Sequence, residues 1–427
     1  MRPLGGQTRH LRQVDRQGTV STGRRLALVI VVLCALAAGA TVPGVRAGDG
    51  GPISRRGTYG GGRHLIEVPA GWNGGLVLFA HGYDGGTYDS PLTSHLLERG
   101  YALAASSYRT EDYRPDLFVD DMRALLELFI REVRRPRWAV IHGQSVGGHV
   151  AIASLELHPG LYQGALIECG AIDGIGNVDL YVAAWAAAEY LGGVNLFEAP
   201  DRETLIRRVN TQWLPRMGAP PAYTEQGRRF DSVLKYLMGG DVPLRLQGLP
   251  RHYIRYVAPS GNPGTQEIVR HASTLQIRYR LDPGLGVAED ELNTKVRRIA
   301  PAKGTRSRSS NPAFAELTGR ITVPVLAIHD TGDARVPWSN QQAYRRRTVA
   351  AGTAHLLVQR AVRWPGHCVF DGEVREQAFD DLVAWIEKGT KPDGDDVLAA
   401  DVPTLGLRWT PIRHPEDPVQ RREPSRK

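Results

Sequence analysis

The chain has 427 residues, 42% of them hydrophobic and 23% charged. This composition excludes a wholly disordered chain and a collagen-like fibre, and the length fits one large domain or one domain with an insertion. Three Cys are too few for a disulfide scaffold, and no CxxC pair offers a structural zinc site. The net charge of +8 belongs mostly to the N-terminus, where residues 1–47 hold seven Arg against one acid, Asp15. The remainder is close to neutral, so no nucleic-acid partner is implied.

The first 47 residues read as an export signal. Arg24 and Arg25 precede an apolar run from Leu26 to Ala40, and Pro43 and Val45-Arg46-Ala47 follow it. Basic head, apolar middle and small-residue exit are the three parts of a signal peptide. The run is shorter than the roughly 20 residues that span a bilayer, so no stable membrane span is expected after cleavage. A signal anchor is the alternative. Gly23-Arg24-Arg25-Leu26 is a poor copy of a twin-arginine motif, which leaves the export route open. The expected location is secreted, periplasmic or in the cell envelope, where disulfides persist.

Residues 48–62 read as a Gly-rich, flexible lead-in. Leu65 to Val68 reads as a short outer strand. Leu76 to Ala80 is a continuous apolar run, the mark of a strand buried on both faces. A Gly-rich turn, His81-Gly82-Tyr83-Asp84-Gly85-Gly86, follows it. Tyr101 to Ser106 predicts a strand and Asp116 to Arg134 a helix, whose apolar residues recur at three and four. Trp138 to Ile141 predicts a strand, Gly143 to Leu157 a turn and helix, and Tyr162 to Cys169 another strand. The alternation then stops. It resumes with a strand over Val323 to His329, a helix around Asn340 to Ala350, a strand over Leu356 to Val362 and a helix over Glu373 to Lys388.

This rhythm predicts an α/β fold, a mostly parallel sheet with helices on both faces. Residues 63–171 and 321–389 form the expected core. Residues 172–320 form a mainly helical cap inserted before the acid-bearing strand, too long for a loop. Residues 390–427 are a Pro- and charge-rich tail that wraps or frays. Arg345-Arg346-Arg347 reads as a solvated helix face. The aromatics of the insertion (Tyr181, Trp185, Tyr190, Phe197, Trp213, Tyr236) read mostly as its core, with one or two lining an acyl pocket.

Three strand ends carry the candidate chemistry. Gly143-Gln144-Ser145-Val146-Gly147 is the one GxSxG in the chain, and an apolar strand enters it while an apolar helix leaves it. Strand, sharp turn and helix make a nucleophile elbow, which presents an exposed hydroxyl at a helix N-terminus. The second end is Asp333, in Gly332-Asp333-Ala334-Arg335-Val336-Pro337. A carboxylate there can orient an imidazole, with Asp330 and Asp173 as rivals. The third is His367, in Gly366-His367-Cys368 before the last helix. The chain order is Ser, acid, His.

Taken with His81-Gly82-Tyr83, these pieces resemble the α/β-hydrolase family, over about Leu65 to Gly389. The resemblance implies Ser145 as nucleophile, His367 as base and Asp333 as its partner. It implies an oxyanion hole from the backbone amides of Tyr83 and Val146. The early loop HGYDGG departs from the HGGG of one large lipase and esterase branch, and no subfamily matches. The expected function is an exported serine esterase that acts on a small-molecule ester or acyl substrate without metal or organic cofactor. The alternatives are a serine peptidase or amidase of prolyl-oligopeptidase-like type, an acyltransferase, and a non-catalytic binding protein of the same fold. His81, His142 and His149 read as structural. Cys169 and Cys368 read either as a disulfide pinning the His loop or as two buried thiols.

Overall fold

The computed structural model describes residues 51–83, 89–258, 269–399, 402–412 and 414–419. Residues 1–47, expected to be an export signal, and the Asp84-Gly85-Gly86 part of the early turn lie outside the described residues. Eight strands form one sheet: β1 Ile53–Tyr59, β2 Gly62–Val68, β3 Gly75–Ala80, β4 Ala102–Ser106, β5 Trp138–Gln144, β6 Gly164–Glu168, β7 Val325–Asp330 and β8 Leu357–Val362. Their order in space is β1-β2-β4-β3-β5-β6-β7-β8. The pairs β1–β2 and β2–β4 are antiparallel, and every later pair is parallel.

The continuous apolar strands are buried on both sides because both faces are covered. In β3, Leu76, Leu78 and Ala80 join one core, and Val77 and Phe79 join the other. The same alternation runs through β5 and β7, as the period of two requires. Helices α2 (Pro115–Glu132), α3 (Val146–Leu157) and α8 (Ser339–Ala351) supply the first core. Helices α1 (Thr93–Glu98) and α9 (Gly372–Lys388) supply the second, through Leu96, Phe379 and Leu382. Helix α2 starts where it does because Pro115 needs no N–H partner in the first turn; Asp116 there and Arg131 in the last turn both suit the helix dipole.

Between β6 and β7 the chain builds α4 (Ile175–Gly192), α5 (Arg202–Arg208), α6 (Glu225–Leu237) and α7 (Glu289–Lys295), joined by irregular turns. These helices share an apolar cluster of their own, with Trp213, Phe230 and Tyr253 packed edge to face and Leu234 and Met238 around them. The indole N–H of Trp213 donates to the Ala188 carbonyl at 2.8 Å. Ala334, from the turn after β7, is part of this cluster, so the insertion packs directly on the segment that carries Asp333.

Two expectations are corrected, and the two readings of the tail are resolved. Residues 53–59 form edge strand β1, paired along its whole length with β2, rather than a flexible lead-in. Its exposed Ser54, Arg55, Arg56 and Thr58 suit an outer strand that must discourage further pairing. The tail wraps: Asp395 donates its amide to Gln359 of β8 and accepts from the Ala361 amide, both at 2.7 Å, and so covers the other sheet edge. A buried ion pair fixes it further on, with Arg363 Nη2 donating to Asp417 Oδ1 at 2.6 Å. Finally, Arg345 and Arg347 are not a solvated face. Arg345 donates to the carbonyls of Ala354 and Leu357, and Arg347 pairs with Asp173 at 2.6 Å.

Candidate active site

The carboxyl ends of β3, β5, β7 and β8 lie along one edge of the sheet, where ligands of parallel α/β folds bind. Ser145 follows β5 directly. Its backbone is at φ 56°, ψ −118°, a left-handed conformation that costs a non-glycine residue on the order of 1–3 kcal/mol. Close packing holds it there. A Cβ on Gly147 would lie 1.8 Å from the Ala80 carbonyl oxygen, and one on Gly143 would lie 2.3 Å from the Gly147 carbonyl oxygen. The turn is tied by Ser145 N–H donating to the Glu168 carbonyl, and by the Gly148 and Ala171 amides donating to the Ser145 carbonyl.

The three sequence-derived side chains meet. The Ser145 hydroxyl lies 2.8 Å from His367 Nε2, and His367 Nδ1 lies 2.6 Å from Asp333 Oδ2. The other Asp333 oxygen, Oδ1, accepts from the amides of Arg335 at 2.7 Å and Val336 at 3.0 Å. The carboxylate can only accept, so His367 carries its proton on Nδ1 and offers Nε2 to the Ser hydroxyl. Asp333 is fully buried and His367 is nearly so.

Neither rival acid reaches the imidazole. Asp173 is paired with Arg347. Asp330 instead supports the loop, its Oδ2 accepting from the Val369 amide at 3.0 Å. Burial and the nearby Asp333 charge push the Asp330 carboxyl well above the usual range.

The loop carrying His367 is braced from β6 and α9. Glu168, wholly buried at the end of β6, accepts from Arg375 Nε at 2.9 Å. Arg375 in turn donates to the carbonyls of Cys368 and Phe370 at 2.9 and 2.7 Å. Cys169 and Cys368 are joined in a disulfide with Cα atoms 5.1 Å apart, and both residues are left-handed, at φ 43° and 59°. Their sulfurs crowd the His367 ring, but bonded sulfurs hold no thiolate for a metal. The disulfide spans 199 residues, and closing a loop of that size removes chain entropy worth about 5 kcal/mol in the simplest model, with about 2–4 typical of measurement. In Cys169→Ala/Cys368→Ala we expect a lower melting temperature. We also expect a fall in kcat of about tenfold or more, since small misplacements of a reacting group are costly. Calorimetry and steady-state kinetics on the same preparation check both.

Four other buried histidines near the site bond to neighbouring groups instead. His149 Nε2 donates to the Ala313 carbonyl at 3.1 Å, and Nδ1 accepts from the Tyr113 hydroxyl at 2.7 Å. Burial lowers its pKa from 6.5 to about 4. The unfolded chain therefore takes up a proton near pH 6.5 that the folded chain refuses until near 4. Stability is full above that window and falls through it as pH drops, by up to about 3 kcal/mol. Urea midpoints at pH 7 and pH 4.5 should show this loss, and His149→Gln should reduce the difference. His329 is similar, with Nε2 donating to the Val336 carbonyl and Nδ1 accepting from Gln341. His142 lies against Glu168 at 3.0 Å. His81 packs on Tyr108 and bonds the Gly82 carbonyl, bracing the start of the early loop.

A cavity of about 180 Å³ opens on Ser145. Tyr83 and Val146, the residues of the implied oxyanion hole, line it together with Ser145. The early loop passes close, since a Cβ on Gly82 would lie 3.1 Å from Ser145 Cβ. The wall also includes Tyr113, Val178, Tyr181, Val182, Arg255 and Val336. Of the aromatics singled out in the insertion, Tyr181 lines this cavity, while Trp185 stacks on Phe197 and Trp213 is core.

Two tyrosines absent from the sequence-derived site hold the acid turn. The Tyr256 hydroxyl donates to the Ala334 carbonyl at 2.7 Å, and the Tyr181 hydroxyl to the Arg335 carbonyl at 2.8 Å. Their rings stack at 4.9 Å. Gly332 is needed for the same packing, because a Cβ there would lie 2.5 Å from the Leu244 carbonyl oxygen of the insertion.

No family model matches the sequence. Among solved structures the chain is similar to a hormone-sensitive lipase from a metagenome library, at 14% identity over 79% of this chain and 84% of that one, with a TM-score of 0.40. It is similar to the proline iminopeptidase of Mycobacterium smegmatis, at 14% over 79% and 100%, TM-score 0.41. It is similar to the acylaminoacyl peptidase of Pyrococcus horikoshii, at 12% over 81%, TM-score 0.43, and spans only 43% of that chain. Likeness at this level assigns no substrate. No helix among the described residues is long and apolar enough to cross a membrane. The sheet order, the strand-turn-helix at Ser145 and the Asp333 and His367 turns at neighbouring strand ends make this an α/β-hydrolase fold.

Proposed function

We propose that the protein is an exported serine hydrolase that cleaves carboxylic esters through an acyl-enzyme. The observation that carries the reading is the unbroken chain from hydroxyl to imidazole to buried carboxylate, 2.8 and 2.6 Å long, opening on a cavity. His367 Nε2 takes the proton as Ser145 Oγ attacks the carbonyl carbon. Asp333 keeps the ring in the required tautomer and stabilises the imidazolium. The amides of Val146 and Tyr83 receive the oxyanion, each such donor being worth about 3 kcal/mol. His367 then returns the proton to the leaving oxygen, and water hydrolyses the acyl-enzyme by the same route.

Ester is favoured over aminoacyl amide by the cavity wall. A peptidase that trims N-termini pairs the substrate ammonium with an acid, and no carboxylate lines this cavity among the described residues. Export rests on the basic-apolar-small pattern of residues 1–47. The test compares p-nitrophenyl acyl esters of graded chain length with aminoacyl p-nitroanilides, using Ser145→Ala as blank. Ser145-dependent release from the esters is expected. Release from the anilides alone would give the activity to a peptidase.

A further inference from the structure

Most arginines that reach inside this molecule meet a carboxylate. Arg245 pairs with Asp231, Arg306 with Asp179, Arg347 with Asp173, Arg363 with Asp417 and Arg375 with Glu168. Arg255 is different. It sits half-buried on the short turn Tyr253–Tyr256 and lines the Ser145 cavity. Among the described residues, no hydrogen bond or ion pair engages its guanidinium.

The setting makes the charge consequential. Tyr253 and Tyr256, on either side, are buried and fix the backbone, so the side chain starts from a rigid base. The cavity wall includes Val178, Val182, Val336 and Tyr181, and beside such apolar surface a guanidinium loses hydration and gains from an anion more than it would in water. Arg335 lines the same cavity, and no acid does so among the described residues. Neighbouring His252 registers the local field: burial first, then the Arg255 and Arg335 charges, lower its pKa to about 4.

We propose that the substrate is an ester carrying a carboxylate a short apolar chain away from the scissile carbonyl, and that Arg255 binds that carboxylate. This deepens the serine-hydrolase reading and rests on it. The cavity is smaller than the roughly 300–1,000 Å³ of drug-sized sites, which suits a short chain. The apolar wall takes the methylenes and the guanidinium takes the anion. Hydrolysis breaks the acyl C–O bond, consumes one water and leaves an alcohol and an acid, one of which retains the bound carboxylate. Arg255 is thus a specificity residue and takes no part in the proton transfers.

Two matched pairs of esters locate the anion. Monomethyl glutarate against methyl pentanoate places it in the acyl part, and 4-acetoxybenzoate against 4-acetoxytoluene places it in the alcohol part. In one pair the anionic member is expected to have the higher kcat/KM by about ten- to hundredfold, the range for a hydrogen bond to a charged group. Arg255→Met should erase that ratio and Arg255→Lys should keep part of it. Ratios favouring the neutral member in both pairs, or untouched by Arg255→Met, would overturn the proposal. Titration calorimetry of glutarate into Ser145→Ala separates the two layers, because it needs no turnover. Binding at least tenfold weaker in Ser145→Ala/Arg255→Met supports the anion site even if no ester is cleaved. Equal binding overturns the site even if esters are cleaved.

Discussion

Ser145→Ala is expected to lower kcat for a cleaved ester by about a millionfold while leaving the folded protein intact. The size follows from losing the nucleophile of a unit that works together: without Oγ, His367 has no proton to take and Asp333 no imidazolium to stabilise. What remains is the oxyanion hole and substrate binding, which alone give a residual rate above that in water. Stability should change little. Among the described residues the hydroxyl's one hydrogen bond is to His367, whereas the elbow itself is held by the Glu168 carbonyl and the amides of Gly148 and Ala171. Alanine at φ 56° is no worse than serine. Stopped-assay kinetics and a thermal melt of the same sample check both halves, and a surviving rate within a hundredfold of the parent would remove Ser145 from the chemistry.

Asp333→Asn should cost about four orders of magnitude in kcat near neutral pH, and the surroundings of this carboxyl explain why. Two amides, from Arg335 and Val336, hold Oδ1 at 2.7 and 3.0 Å. They require an acceptor, so an asparagine must keep its oxygen there and turn its NH2 toward His367 Nδ1. A donor facing Nδ1 selects the imidazole tautomer with the proton on Nε2, which cannot accept the proton of Ser145. The geometry survives and the base does not. A kcat fall of about 10⁴ with KM nearly unchanged is the expected signature, and a fall below tenfold would show that Asp333 only fills space.

Much of this arrangement was legible in the sequence because burial on two faces leaves a mark. LVLFA, Trp138 to Ile141 and Val325 to Ile328 are apolar without a break, and only a central parallel strand needs that. Gly143 and Gly147 were legible for a steric reason, and the meeting of Ser145, Asp333 and His367 from motif and chain order together. β1 was not. Ser54 to Thr58 has no apolar alternation, because an outer strand is held by backbone pairing to β2 rather than by buried side chains. Asp330, Asp333 and Asp173 could be ranked only by position, since distance to His367 is a tertiary quantity.

The braces were less legible still. Glu168 did leave a signal, an acid closing the otherwise apolar β6 sequence GALIE. Its partner Arg375 left none, being one more basic residue on a charged helix 207 positions away. Tyr181 and Tyr256 look like core aromatics, and only their hydroxyls, aimed at the Ala334 and Arg335 carbonyls, reveal that the insertion holds the acid turn. Arg345 and Arg347 were misread for the same reason, as their partners come from other elements.

The most direct test of the account is covalent labelling of the folded protein with a fluorophosphonate, read by mass spectrometry of the peptide containing residue 145. The probe reacts with a serine whose hydroxyl is activated by a neighbouring base and whose oxyanion is received by aimed donors. Stoichiometric modification at Ser145 is expected in the parent, with labelling slowed by at least a hundredfold in His367→Ala. A folded parent left unlabelled at Ser145, or labelled equally fast without His367, would contradict the claim that these residues form one catalytic relay.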